Sequence, residues 1–142
     1  MAIRYGGETP DLEYGLEITV EAPDGTTVAA PVLQGSIWKL GSTAADGTGY
    51  KAVATADNDT AVSCVLLQAK HRITSEGPLA VKVLGSYAQI RRLPYLEGEL
   101  PEIGHSVMIS ATAGLVGVKE YAAGCGYTLY VDTVAHEAEV LI

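Results

Sequence analysis

The sequence predicts a mainly β protein, a single compact small β-barrel or β-sandwich of about ten short strands with an extended amino-terminal arm and little helix. Two observations carry this. Apolar residues alternate with polar ones at period two in run after run, and turn-forming clusters interrupt those runs about every ten residues. The composition agrees: 142 residues with 16 Gly, 6 Pro, 8 Tyr and no Phe, 48% hydrophobic and 18% charged. That is one domain's length of a folded, turn-rich chain, outside the range of disorder. Residues 1–15 read as a flexible arm and 16–142 as one β-rich domain.

Taken in order, Leu16, Ile18 and Val20 alternate with Glu17, Thr19 and Glu21, a half-buried strand that Pro23-Asp24-Gly25 turns. Thr26 to Val32 continues with Val28 and Ala30 on one parity, so the two runs read as a hairpin, with Pro31 at a sheet edge. SIWKL after Gly35 is a short strand, GSTAADGTG a loop, and YKAVATA alternates again. Asp57-Asn58-Asp59 is a turn, since the Gly and Glu positions of a calcium loop are missing. AVSCVLLQ is an apolar run of strand length, expected to be buried on both faces. Leu79, Val81 and Val83 mark a half-buried strand, and Tyr87 to Leu93 runs on to Pro94, so residues 79–93 form a hairpin about Gly85-Ser86 if the two pair. SVMISA, LVGVKEY, YTLYV and AEVLI complete the set, with a short helix over Thr112–Tyr121 as the alternative to a strand there.

The formal net charge of −8 disfavours binding to a phosphate backbone. Its distribution is uneven. Residues 1–34 set Glu8, Asp11, Glu13, Glu17, Glu21 and Asp24 against Arg4 alone, the middle of the chain is mildly basic, and residues 97–142 are acidic again. This reads either as a solvated surface or as complementary patches toward other subunits or a basic partner. No apolar stretch approaches a membrane span, and no apolar segment follows Arg4 as in a secretory signal, so synthesis in a cytoplasm is expected.

Chemistry has no local signature here. Cys64 and Cys125 are in no CxxC spacing and read as buried free thiols, Cys64 as a core filler rather than a partner of His71. His71, His105 and His136 stand singly, so no metal site and no cofactor is expected. Trp38 reads as a core residue rather than a partner hot spot. Arg91 and Arg92, with Lys82 and Tyr87, are the basic cluster that has an aromatic nearby, placed on one sheet face if residues 79–93 form a hairpin.

The order of these pieces resembles small head decoration, or cement, proteins of tailed bacteriophages, the phage lambda decoration protein among them: an acidic, Gly-containing arm, a Gly-strand-turn unit (GSIWKLGSTAADGTGYKAVATADNDTAVSCVLLQA), a central GPLAVKVLGSYAQIRRL, a second unit (IGHSVMISATAGLV) and a terminal EAEVLI strand. The likeness covers most of residues 30–142. It implies a thimble-like β domain on the outside of an expanded capsid, a homotrimer bound to the major capsid protein, with no enzymatic activity. In that family the arm commonly pairs as a strand with capsid protein, which would fall to residues 1–15 here. The partner-binding candidates are then Arg4, Tyr5, Glu8, Asp11 and Tyr14 of the arm, with Arg91 and Arg92 of the domain. A polar arm of this kind stays mobile until it adds a strand to a neighbour's edge. The competing expectations are another virion part, such as a tail or fibre-base module, and a small β-barrel hydrolase using Cys64 or a histidine.

Overall fold

Period-two alternation makes strands, and what each strand buries decides where it goes. The computed structural model describes residues 16–43, 50–85, 89–112 and 114–142. These are all-β, with ten strands. Five close into a barrel: β1 (Glu17–Glu21), β3 (Tyr50–Val53), β2 (Ile37–Thr43), β4 (Leu66–Ala69) and β5 (Pro78–Val83), in that spatial order. β6 (Ile90–Pro94), β10 (Glu137–Leu141) and β9 (Tyr127–Asp132) form a three-stranded antiparallel sheet, and β7 (Val107–Thr112) pairs with β8 (Leu115–Glu120).

The side chains sort into two cores. Val20, Ala52, Leu67, Ala69, Leu79 and Val81 fill the barrel, while Ile37, Leu66, Leu93, Ile109, Val118 and Val140 fill the space between the barrel and the two smaller sheets. β2 and β4 serve both. Ile37 and Leu66 point to the second core, whereas their neighbours Trp38 and Leu67 pack with the barrel core. All four residues of β4 are therefore buried, as a strand covered on both faces must be. Its Gln68 joins the layers, the side-chain amide donating to the Gly35 carbonyl at 3.2 Å and to the Arg92 carbonyl of β6 at 2.8 Å.

Sequence neighbours are not always partners. The expected hairpin of residues 16–21 with 26–32 does not form: β1 pairs along its length with β5, Ile18 opposite Val81 and Val20 opposite Leu79. Gly25, at φ +80°, makes the turn. The Thr26 hydroxyl then donates to the Pro23 carbonyl at 2.7 Å, and the Ala30 N–H donates to the Thr27 hydroxyl at 3.1 Å, so local bonds hold residues 26–30 in loop. Val28 is exposed, and Val32 keeps a single bridge to Ile73.

The apolar run at 61–68 is strand only from Leu66. The Thr60 N–H donates to the Ser63 hydroxyl at 2.9 Å and the Ser63 N–H to the Thr60 hydroxyl at 3.1 Å, closing a turn that leaves Val62 exposed. A second expected hairpin, over residues 79–93, is replaced by a change of sheet. β5 stays in the barrel while β6 pairs with β10, since the Gly85 N–H donates to the Ile142 carbonyl and the Ile142 N–H to the Gln89 carbonyl. Where a helix was the alternative, Leu115–Glu120 is strand: β8 runs antiparallel to β7, Thr112 opposite Leu115. Gly117 lets β8 cross the end of β6, because a Cβ there would stand 2.9 Å from the Pro94 carbonyl oxygen and the Tyr95 Cα. No helix of the described residues is long and apolar enough to cross a membrane.

Candidate interaction surface

Of the partner-binding candidates, Arg4, Tyr5, Glu8, Asp11 and Tyr14 lie outside the described residues. Arg91 and Arg92 lie on β6, away from Lys82 on β5, so the basic cluster does not share one sheet face; Tyr87 lies outside the described residues. Arg91 is buried and bonded to the Gln89 side chain. Arg92 crosses its sheet to the acidic end of the chain, donating to Glu137 at 2.7 Å and to Asp132 at 3.1 Å. Partial desolvation opposes its charge, and the two carboxylates outweigh that and raise its pKa. Asp132 is held below the usual carboxylate range, chiefly by the Ala135 N–H and further by Arg92 and the Val134 N–H.

The acidic, basic and acidic stretches thus meet within one chain. Lys70 reaches Glu17 at 2.7 Å and Lys51 pairs with Asp24, joining the middle to the first stretch; Lys119 meets Asp57 at 3.1 Å, joining the last stretch to the middle, and Lys39 pairs with Asp59 at 2.9 Å within the middle itself. Sequence reasoning read these charges as a solvated surface or as complementary patches toward other subunits or a basic partner. Their pairing depends on strand order, which alternation does not encode.

Apolar side chains remain outside. Residues on a regular strand alternate between faces, but β9 does not. Opposite Glu139 and Val140 of β10 stand Tyr130 and Thr128, so Leu129 is an extra residue, a β-bulge. The bulge turns Leu129 and Tyr130 outward together, and with Tyr127 they are 40%, 39% and 51% exposed, while Thr128 is fully buried. Tyrosine and leucine on one strand, with apolar bodies in solvent, make a surface suited to a macromolecular partner.

A hollow of about 760 Å³ lies between the barrel and the smaller sheets, lined among others by Leu33, Trp38, Thr55, Arg92 and Leu115. Trp38 is half-buried there, its indole N–H donating to Ser36 at 2.8 Å, so its core assignment holds for only part of the ring. Thr55 Oγ1 is buried beside it with no hydrogen-bond partner among the described residues.

Both cysteines are free. Cys125 is buried; Cys64 is half-buried against the second core, donates to the Thr60 carbonyl at 3.4 Å, and burial pushes its thiol pKa up, away from a reactive thiolate.

The histidines do not meet one another, but His105 meets two glutamates. Its Nδ1 contacts Glu120 of β8 and stands 3.7 Å from Glu102, and all three side chains are exposed. The Glu120 bond, then the Glu102 charge, raises the His105 pKa. This cluster was missed because Glu120 joins only through the tertiary fold; the Glu102-x-x-His105 spacing was its visible part.

No protein family, characterised protein or solved structure matches the chain.

Proposed function

We propose that the chain is a non-enzymatic structural protein of a tailed-phage virion, which decorates the outside of the expanded head as a homotrimer and binds the major capsid protein. The exposed Tyr127, Leu129 and Tyr130 on bulged β9 carry the reading, since a surface of that kind gains by being covered. The framework behind it suits a clamp: a closed barrel whose strands β2 and β4 also wall the core behind the two small sheets, with charges paired internally. The segment order that resembles cement proteins supports the same role. Many copies around a closed shell stabilise it even when each contact is modest.

The test is the copy number of this chain against the major capsid protein in purified virions, by quantitative mass spectrometry. A ratio near one to one supports the proposal. A handful of copies moves the protein to a tail or vertex, and absence overturns a virion role. On purified expanded heads, the double variant Tyr127→Ser and Leu129→Ser is expected to lose at least tenfold in affinity with the fold intact, as removal of central interface anchors does. Undiminished binding moves the contact off β9.

A further inference from the structure

Glu102, His105 and Glu120 come from two stretches of chain and converge on one point of the surface. Their backbone is tied down from several sides. The Gly104 N–H donates to the Thr128 carbonyl at 2.7 Å, the Thr128 N–H to the His105 carbonyl at 2.9 Å, and the Tyr121 N–H to the Ser106 carbonyl at 2.9 Å. The Ser106 hydroxyl returns a bond to the Tyr121 carbonyl at 2.7 Å. The turn at 102–105 is thereby fastened to the start of β9 and the end of β8. Little backbone ordering would be required to bring its side chains to a ligand.

The donors and acceptors at this point do not balance. Nδ1 of an imidazole carries at most one proton, yet two carboxylates face it. Glu120 takes the hydrogen bond, while Glu102 Oε2 stands at 3.7 Å, too far for one. With bonds of about 2.1 Å the ligand atoms of a tetrahedral ion lie about 3.4 Å apart, near the Glu102 separation, and the closer Glu120 oxygen reaches that spacing by rotation of its exposed side chain once the shared proton leaves. The three ligand atoms lie within 4.8 Å of one another on exposed, rotatable side chains. The adjacent cation, Lys119, is engaged with Asp57. Two carboxylates and a neutral imidazole leave two negative charges, which one divalent ion matches.

We propose that Glu102, His105 and Glu120 form a binding site for a divalent transition-metal cation, with His105 Nδ1 and one oxygen from each carboxylate as ligands and water completing the shell. One imidazole nitrogen and two carboxylate oxygens suit Zn²⁺ or Mn²⁺ and disfavour the soft Cu⁺. The ion crosslinks the turn before β7 to the end of β8, a structural role.

The test is calorimetric titration of the full chain, first stripped with chelator, with Zn²⁺ and separately with Mn²⁺, beside thermal melts. A single saturable site and a raised Tm are expected. His105→Ala and Glu120→Gln should each weaken binding about tenfold or more and remove the rise in Tm, while His71→Ala changes neither. Absence of saturable binding, or equal binding in the variants, overturns the proposal. The unmodified chain gives a second readout: substoichiometric Mn²⁺ should broaden the His105 and Glu120 amide resonances first, and broadening centred elsewhere overturns the site.

Discussion

Asp57 shows how a surface residue is recruited into the fold. Its Oδ1 accepts from the Ala111 N–H and from Lys119, each at 3.1 Å, so a turn between β3 and β4 is fastened to the β7–β8 pair. The Ala111 bond and then Lys119 lower its pKa from the ordinary 3.8. A carboxylate with a depressed folded pKa stabilises the fold above its unfolded pKa and loses that contribution as pH falls through the folded value. Asp57→Asn is therefore expected to lower Tm at neutral pH and to converge with the parent protein below about pH 3.8, as melts across the acid range would show. A constant difference at every pH would mean that charge is not what Asp57 supplies. The sequence shows Asp57-Asn58-Asp59 as a turn, and the left-handed Asn58, at φ +71°, makes it one. What the turn's carboxylates hold is not legible there, because Ala111 and Lys119 lie more than fifty positions along the chain.

Among the elements, β9 departs furthest from its own sequence pattern. YTLYV reads as an ordinary short strand, and alternation places Tyr127, Leu129 and Val131 on one face. The bulge breaks that parity after Leu129, sending Val131 inward to the second core and Tyr130 outward. Deleting Leu129 would make Thr128 and Tyr130 consecutive, and strict alternation then keeps Thr128 inside and Tyr130 outside, the faces they already have. The expected result is a folded protein whose stability in urea titrations stays within about 0.5 kcal/mol of the parent, as for a change away from the core. A loss of several kcal/mol would show that the packing of β9 depends on the bulge itself. Strand existence was legible for β1, β2, β3, β5, β6, β7, β9 and β10, because alternation is local; β4 was legible only as the end of a longer apolar run, and β8 stood open between strand and short helix. Partnership was not. β1 skips the nearby 26–32 segment for β5, since Leu79 and Val81 carry the apolar face that Val20 needs while Val28 is held outward by its own turn.

Across the whole molecule, β2 and β4 are a wall with a core on each side. Neither core can be lost without stripping one face of that wall, so the two should melt as a unit. Leu67→Ala in the barrel and Ile109→Ala in the second core, both almost fully buried, are each expected to cost about 2–5 kcal/mol and to shift one shared calorimetric transition. Two separated transitions in either variant would show independent units. The same wall governs how solvent protons enter. β1 and β3 close the barrel through one register pair, Glu21 opposite Lys51, whereas β4 is paired on both sides and covered above and below. The barrel therefore breathes at its β1–β3 seam, which exchanges its amide hydrogens early, while those of Leu66 to Ala69 wait for the rarest event available to the chain, the opening of everything at once.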